Sequence, residues 1–296
     1  MFGLSRTAAI LSALLLGALV PQAHALAWVI RWLVMAMLFL VFLQTRLTRA
    51  ALSGMHLALL AANIALGFAA WGAGWAIGGR EVALAGFFCG ITPTAIAAPV
   101  IIGFLKGRVE FVVGAFLLTN LAIAAALPFL LPVVLGRATP EAFGQVLGSV
   151  AVVVFTPMAA AWLVRAAHPA AGHWPSRLRN VSFGLWVVSM FFIAANASAF
   201  IRANADIPRL VLAEIAGVSL LSCVASFALG RVIGGRTFPR EASQALGQKN
   251  TTFTIYLALA YASPVVALGP TFYVVWHNLW NSWQLHRAAQ RERTAP

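Results

Sequence analysis

The sequence predicts an all-α polytopic membrane protein with ten transmembrane helices arranged as two inverted five-helix repeats. Three observations lead to this fold class. Hydrophobic residues make up 61% of the 296 residues, charged residues make up only 9%, and the mean hydropathy is +0.90. Apolar runs long enough to cross a hydrocarbon core of about 30 Å recur along the chain. The basic residues lie mostly between these runs, with an asymmetry that indicates orientation in a membrane.

The composition excludes several classes of protein. A soluble domain carries about 45–50% apolar and about 25% charged residues, so an ordinary water-soluble enzyme is excluded. The apolar runs are continuous and do not alternate with period two, which argues against an outer-membrane barrel. The net charge of +13 comes from basic residues in short loops, so we expect no nucleic-acid partner. Cys89 and Cys223 lie inside apolar runs, where neither a structural disulfide nor a metal cluster is expected.

The order of the apolar runs gives the ten predicted spans. Several of them contain Gly or Pro, which helices in membrane bundles tolerate. The spans are predicted at about 7–25, 27–44, 51–77, 81–105, 109–136, 142–166, 180–203, 208–234, 239–263 and 264–286.

The basic residues give the orientation of these spans. With a cytoplasmic N-terminus, 14 basic residues fall on the inner side and four on the outer side, namely Arg80, Arg137, Arg202 and Arg209. Such a split follows the positive-inside rule and predicts a multi-pass protein of the bacterial inner membrane with both termini cytoplasmic. Residues 1–25 also have the pattern of a signal peptide, so they are either a retained first helix or a cleaved segment. We favour the retained helix because the next apolar run begins almost at once.

Two of the spans are interrupted at corresponding places. Span four contains Gly90-Ile91-Thr92-Pro93-Thr94, and span nine contains Gly247-Gln248-Lys249-Asn250-Thr251-Thr252. Each is the fourth helix of its half, and Thr92 and Lys249 are 157 positions apart. Interrupted helices at matching positions of two halves indicate the binding site of a transporter. The alternative is that both are kinks with a packing role only.

Lys249 lies about 16 Å from Phe238 by helical rise, which is near the middle of the membrane. A lysine at this depth costs about 2.5–3.5 kcal/mol on insertion scales, so it must be paired, neutral or facing water. It could bind an anionic substrate, replace a coupling cation as a fixed charge, or carry a proton. The structural alternative is a pair with Glu214 of span eight, the most suitable counter-charge in the sequence.

Other polar residues in the spans extend the candidate site. Asn250, Thr251, Thr92 and Thr94 accompany Lys249 in the two interruptions. Weaker candidates are Asn120, Asn63 and His277, since an intramembrane Asn or His commonly serves as an interhelical hydrogen-bonding residue. No phosphate-binding loop or metalloprotease motif is present in the sequence, so we expect no cofactor, no metal and no enzymatic activity.

Two stretches resemble the bile acid:sodium symporter family. They are ITPTAIAAPVIIGFLKGRVEFVVG, from span four into five, and ALGQKNTTFTIYLALAYASPVVALGPTFYVVWHNLWNSW, from span nine into ten. The resemblance implies a panel domain of spans one, two, six and seven, over residues 1–50 and 141–205. It also implies a core domain over residues 51–140 and 206–296, in which the two broken helices cross. Alternating access would move the core against the panel.

The chain departs from the family pattern at the sodium sites. Ala245 stands where the family has a sodium-binding Glu, and Lys249 stands where it has a Gln. Ala98 and Pro99 replace a Ser-Asn pair, and Val112 occupies a position that carries a hydroxyl in the family. Phe116, one helical turn later, occupies a second position that carries a hydroxyl in the family. An added ammonium group repels cations, so we expect the two-sodium coupling to be absent.

The sequence therefore predicts a secondary transporter of a small organic anion, surrounded by membrane lipid, with the proton favoured over sodium as a coupling ion. Two alternatives remain. One is a proton-linked or uniport-like exporter of the same fold, and the other is a non-transporting membrane sensor or scaffold.

Overall fold

The computed structural model describes residues 2–44, 53–203 and 208–294, and these residues are helical almost throughout. The all-α fold class is thereby confirmed, since no strand forms within the described ranges. The helices are α1 (Phe2–Leu19), α2 (Val29–Gln44), α3 (Gly54–Gly78), α4 (Arg80–Ile91), α5 (Ala97–Phe104), α6 (Val109–Val134), α7 (Pro140–Val150), α8 (Thr156–Ala167), α9 (Trp174–Arg177), α10 (Arg179–Ala203), α11 (Arg209–Gly234), α12 (Pro239–Gly247), α13 (Thr251–Tyr261) and α14 (Pro264–Thr294).

Five helical segments in the described ranges are long and apolar enough to cross a membrane. They are Gly54–Gly78, Val109–Val134, Pro140–Ala167, Asn180–Ala203 and Arg209–Gly234. The third of these joins α7 to α8 through a π-helical turn at Ala151–Phe155. The prediction of a membrane-embedded helical protein is confirmed in this coarser form. The predicted domain boundaries near residues 50 and 205 lie outside the described residues.

The helices pack in two groups. One contains α1, α2, α8 and α10, in which α1 packs against α10 and α2 packs against α8, while α7, which continues into α8, packs against α6. The other contains α3 to α6 and α11 to α14. The groups meet along α13, where the Tyr256 hydroxyl lies 3.3 Å from the Ser149 hydroxyl of α7. They also meet where Val41 of α2 joins a buried apolar cluster with Phe116 of α6.

Two tight helical hairpins, α3–α4 and α11–α12, are built alike. Each turns at a glycine in the left-handed region, with φ of +78° at Gly79 and +54° at Gly235. In each hairpin a further glycine allows close approach of the two backbones. A Cβ at Gly90 would lie 2.5 Å from the carbonyl oxygen of Leu66, and one at Gly230 would lie 2.5 Å from that of Ala242. The hairpins are therefore held at a separation that larger side chains would not permit.

Each hairpin also places a carboxylate at the start of its second helix. Glu241, in the first turn of α12, accepts a 2.9 Å hydrogen bond from the main-chain N–H of Arg108, which precedes α6. Glu81, in the first turn of α4, accepts a 2.9 Å bond from the hydroxyl of Ser263, which precedes α14. The carboxylate in α12 thus binds the residue before α6, and the carboxylate in α4 binds the residue before α14.

Candidate functional site

The predicted interruptions divide spans four and nine into separate helices. α4 ends at Ile91, and Thr92 has an extended ψ of 127°. A residue before proline disfavours the helical region, so Pro93 accounts for this end of the helix. α12 ends at Gly247, and Gln248 adopts φ −85° and ψ 101°. The chain resumes helical geometry at Ala97 in the first case and at Thr251 in the second.

The two non-helical segments pair with each other in antiparallel fashion. Thr94 and Lys249 form an isolated β-bridge. The N–H of Ala95 donates to the carbonyl oxygen of Gln248 at 2.7 Å, and the N–H of Asn250 donates to that of Pro93 at 2.8 Å. Broken helices leave main-chain polar groups without intrahelical partners, which is costly away from water. The pairing supplies those partners, so each break stabilises the other.

Lys249 lies at this crossing with its side chain 2% exposed. Its Nζ donates to the carbonyl oxygen of Gly90 at 2.9 Å and to Oδ1 of Asn63. Every hydrogen-bond partner that the described residues give to Lys249 is therefore neutral. The Nζ atom is thus enclosed between two oxygen acceptors, one from a main-chain carbonyl and one from a side-chain amide.

Asn63 connects α3 to both breaks. Its Nδ2 donates to the carbonyl oxygen of Ile91 at 2.9 Å, while its Oδ1 accepts from Lys249. The side chain is 1% exposed. Asn63, one of the weaker sequence candidates, is thus a direct partner of the buried lysine.

Thr94 and Asn120 join the crossing to α6 and α12. The Thr94 hydroxyl donates to the carbonyl oxygen of Ala245 at 2.6 Å and accepts from the Thr119 hydroxyl at 2.9 Å. Asn120 Nδ2 donates to the main-chain oxygen of Thr94 at 2.8 Å. These bonds fix the main-chain position of the residue that pairs with Lys249.

On the other side of the crossing, α13 begins at Thr251. The hydroxyls of Thr92 and Thr254 are hydrogen bonded at 2.8 Å, which ties α13 to the first break. Asn250 Nδ2 approaches Oδ1 of Asn120 at 3.5 Å, and the Asn250 side chain is partly exposed. Thr251 itself is 2% exposed. Asn250 is thus the accessible member of the predicted set around Lys249.

Glu214 does not pair with Lys249, and this expectation from the sequence is wrong. Its carboxylate lies against Gly78, where a Cβ would come within 2.1 Å of Oε2. Gly78 ends α3, about 22 Å by helical rise from Asn63, the partner of Lys249. The first turns of α11 therefore reach the far end of α3, and the carboxylate cannot act as a counter-charge at the crossing.

His277 is also outside the hydrogen-bonded crossing. It is 1% exposed and packs edge-on against Tyr273, with ring centroids 5.6 Å apart. Neither ring nitrogen has a hydrogen-bond partner among the described residues. Tyr273 lies between His277 and the second break, since its hydroxyl donates to the carbonyl oxygen of Gly247 at 2.9 Å.

Three side chains that take part in the site were not predicted from the sequence. Thr119 and Thr254 bond the predicted threonines, and Gln248 Oε1 accepts from Nδ2 of Asn281 at 2.6 Å. The available signal for Thr254 was its position three residues after Thr251, on the same face of a helix. Gln248 stood inside the interruption itself.

Four of the residues that stand at the expected sodium positions lie among apolar side chains. Ala98, Val112 and Ala245 belong to one buried apolar cluster, and the three are 0–2% exposed. Phe116 is 3% exposed and packs in the neighbouring cluster with Leu117. These side chains offer no oxygen to a hard cation such as sodium.

Comparison with known proteins adds no family assignment. No protein-family model matches the chain, and a search of curated proteins gives no match.

Proposed function

We propose that the chain is a secondary transporter of a small organic anion, with the fold of the bile acid:sodium symporter family and without its two-sodium coupling. In this proposal it spans the bacterial inner membrane ten times, with both termini in the cytoplasm. It works by alternating access, in which α3–α6 and α11–α14 form the core. The panel consists of α1, α2, α7, α8 and α10.

The observation that carries the proposal is the position of Lys249. A positive charge is enclosed where two broken helices cross, and its partners are the neutral oxygens of Gly90 and Asn63. Irregular backbone at membrane depth is tolerated where it serves a binding site or a cavity. An ionisable side chain at the same depth indicates a functional site, because its burial in the membrane is costly. The irregular backbone and the charged residue occur together at the β-bridge between Thr94 and Lys249.

The inverted-repeat arrangement is supported by the two hairpins. The pair α3–α4 and the pair α11–α12 share a left-handed glycine at the turn and a close glycine contact between the helices. The reciprocal carboxylate bonds, Glu81 with Ser263 and Glu241 with Arg108, relate α4–α6 to α12–α14 in the same way. Such internal symmetry is typical of transporters that alternate between two equivalent states.

Of the alternatives for Lys249, we propose the fixed charge, because its Nζ has two oxygen acceptors that an ammonium satisfies. The side chain is 2% exposed and its Nζ is held by two oxygens. Such an ammonium substitutes for a coupling cation that would otherwise enter and leave. The apolar surroundings of Ala98, Val112 and Ala245 support the same conclusion, because they remove the ligands that sodium would need.

The anion is proposed to bind beside this charge at the start of α13. The N-terminus of a half-helix carries a partial positive charge and main-chain N–H groups without intrahelical acceptors. Asn250 precedes this helix, is partly exposed, and has no side-chain capping bond to the helix. Because α13 lies where the two groups of helices meet, movement of one group against the other would expose this position alternately.

The test is a thermal-shift screen of the purified full-length chain with acetate, pyruvate, succinate and cholate, each in sodium and in potassium chloride. A ligand of the folded state raises the melting temperature according to its concentration and affinity. We expect stabilisation by at least one anion to the same extent in both salts, followed by counterflow of that anion in proteoliposomes. Stabilisation that requires sodium would contradict the coupling proposal. Absence of any flux would favour the sensor or scaffold alternative.

A further inference from the structure

A second feature of the molecule is a groove of about 1230 Å³ that lies apart from the Lys249 crossing. It runs between α11 and α14 and ends at the start of α12 and the segment between α5 and α6. Because residues 220–231 of α11 and 276–287 of α14 both line it, the groove is about 16 Å long by helical rise.

The two ends of this groove differ in chemistry. One end is basic and is lined by four cationic side chains from four separate segments, namely Lys106, Arg231, Arg240 and Arg287. The described lining residues include no acidic side chain. The other end is apolar, with Leu220, Val224 and Leu279 on its walls, and all three of these side chains are exposed.

Aromatic side chains lie between the two ends. The rings of Trp280 and Trp283 are 4.9 Å apart, and the guanidinium of Arg287 lies 4.9 Å from the Trp283 ring. Trp276 also lines the groove, and its buried indole Nε1 has no hydrogen-bond partner among the described residues. A buried donor without an acceptor is costly, so this N–H is suited to an acceptor that a ligand would bring.

We propose that this groove is a binding site for an anionic phospholipid from the surrounding membrane. The phosphate lies among the basic side chains, an ester oxygen accepts from Trp276, and the acyl chains lie along Leu220 and Val224. Charge complementarity selects an anionic headgroup, since four cationic side chains line one end of the groove and its described lining includes no acidic side chain. The apolar end selects a lipid over a free phosphate, because exposed leucine and valine side chains gain from contact with hydrocarbon. The site is independent of the proposed transport function.

The experiment is a titration of the delipidated full-length protein in detergent with dioleoyl phosphatidylglycerol, followed by native mass spectrometry. Dioleoyl phosphatidylcholine and glycerol phosphate are titrated in parallel. The variant Arg231→Gln/Arg240→Gln removes two cations, and Ala228→Trp fills the groove without changing its charge. The matched control is Arg137→Gln/Arg209→Gln, which removes two exposed cations at the opposite end of the molecule.

We expect phosphatidylglycerol to bind in preference to phosphatidylcholine. Its affinity should fall about 30-fold in the Arg231→Gln/Arg240→Gln variant and should stay unchanged in the control. The Ala228→Trp variant should also lose the bound lipid, which keeps the test valid if the double variant fails to fold. Equal binding of both lipids, unchanged binding in Ala228→Trp, or binding of glycerol phosphate as tight as that of the lipid would each overturn the proposal.

Discussion

The Nζ atom of Lys249 donates a 2.9 Å hydrogen bond to the main-chain oxygen of Gly90, which lies 159 residues earlier in the chain. The bond joins the second break to the last turn of α4, just before the first break. It also places the buried positive charge at the C-terminal end of a half-helix, which carries a partial negative charge. The ammonium is thus stabilised without a carboxylate, by a helix end and the amide oxygen of Asn63.

The first prediction concerns the replacement of Lys249 by alanine. The change removes the ammonium and leaves the oxygens of Gly90 and Asn63 without a donor, in a space that can take a small cation. We expect sodium chloride, compared with choline chloride, to raise the melting temperature of Lys249→Ala by about 2–4 °C. The wild type should show no such difference, and a variant that is equally insensitive to sodium would contradict the fixed-charge role.

A second prediction concerns the hydroxyl of Thr94, which bonds Ala245 across the crossing. Thr94→Val should reduce the free energy of unfolding by about 0.6–1.7 kcal/mol, which spans the average and the largest values found for interhelical hydrogen bonds in membranes. Thr94→Ser keeps the hydroxyl and should stay closer to the wild type. Unfolding in a mixed detergent–denaturant titration measures the difference.

The matched control for Thr94 is Thr271→Val. Thr271 is also buried, but its hydroxyl donates to Ala267 within its own helix at 2.7 Å. Its loss should cost less, since no contact between helices is removed. An equal loss of unfolding free energy in the two valine variants would show that the Thr94 hydrogen bond between helices does not stabilise the crossing.

The third prediction concerns the close approach of α3 and α4 at Gly90. A Cβ at Gly90 would meet the main chain of Leu66 and Gly67 at 2.5–2.6 Å. Because neither backbone can move without separating the helices, Gly90→Ala should destabilise the protein by about 1–3 kcal/mol. It should also weaken the bond between Lys249 and the Gly90 carbonyl. Gly72→Ala in α3 meets nothing within 4 Å and should be neutral or slightly stabilising.

The fourth prediction concerns orientation in the membrane. Single cysteines are introduced as Arg137→Cys and Arg287→Cys, in a background where Cys89 and Cys223 are replaced by alanine. Both native cysteines are buried, so their replacement should disturb little of the surface. In intact cells, a membrane-impermeant maleimide should label position 137 and should reach position 287 only after permeabilisation. Labelling of both from outside would contradict the ten-span orientation.

The breaks in the two helices could be predicted from sequence because their causes are local. Pro93 forces Thr92 out of helical geometry, and Gly247 ends α12 beside polar residues. The burial of Lys249 could be expected from its place inside an apolar run, and its side chain is 2% exposed. In the same way, the all-helical, membrane-embedded class followed from composition alone.

The partners of Lys249 could not be predicted with the same success, because they depend on how separate helices align. Glu214 was expected to pair with Lys249 because, apart from histidines, it is the other ionisable residue deep in a predicted span. The early turns of α11 instead meet the end of α3 at Gly78. The Gly90 partner is a main-chain carbonyl oxygen, which every residue has, so the residue type does not indicate this bond. Asn63 was identified only as a weaker candidate, because an intramembrane asparagine has many possible partners.

The most direct test of the central claim is flux in proteoliposomes with the anion that stabilises the protein most in the thermal-shift screen. Counterflow is measured for the wild type and for Lys249→Ala, in sodium-free potassium medium and in sodium medium. We predict equal wild-type flux in both media and loss of flux in the variant without sodium. Wild-type flux that depends on sodium, or undiminished flux in the sodium-free variant, would contradict the proposal that Lys249 supplies the charge of a coupling cation.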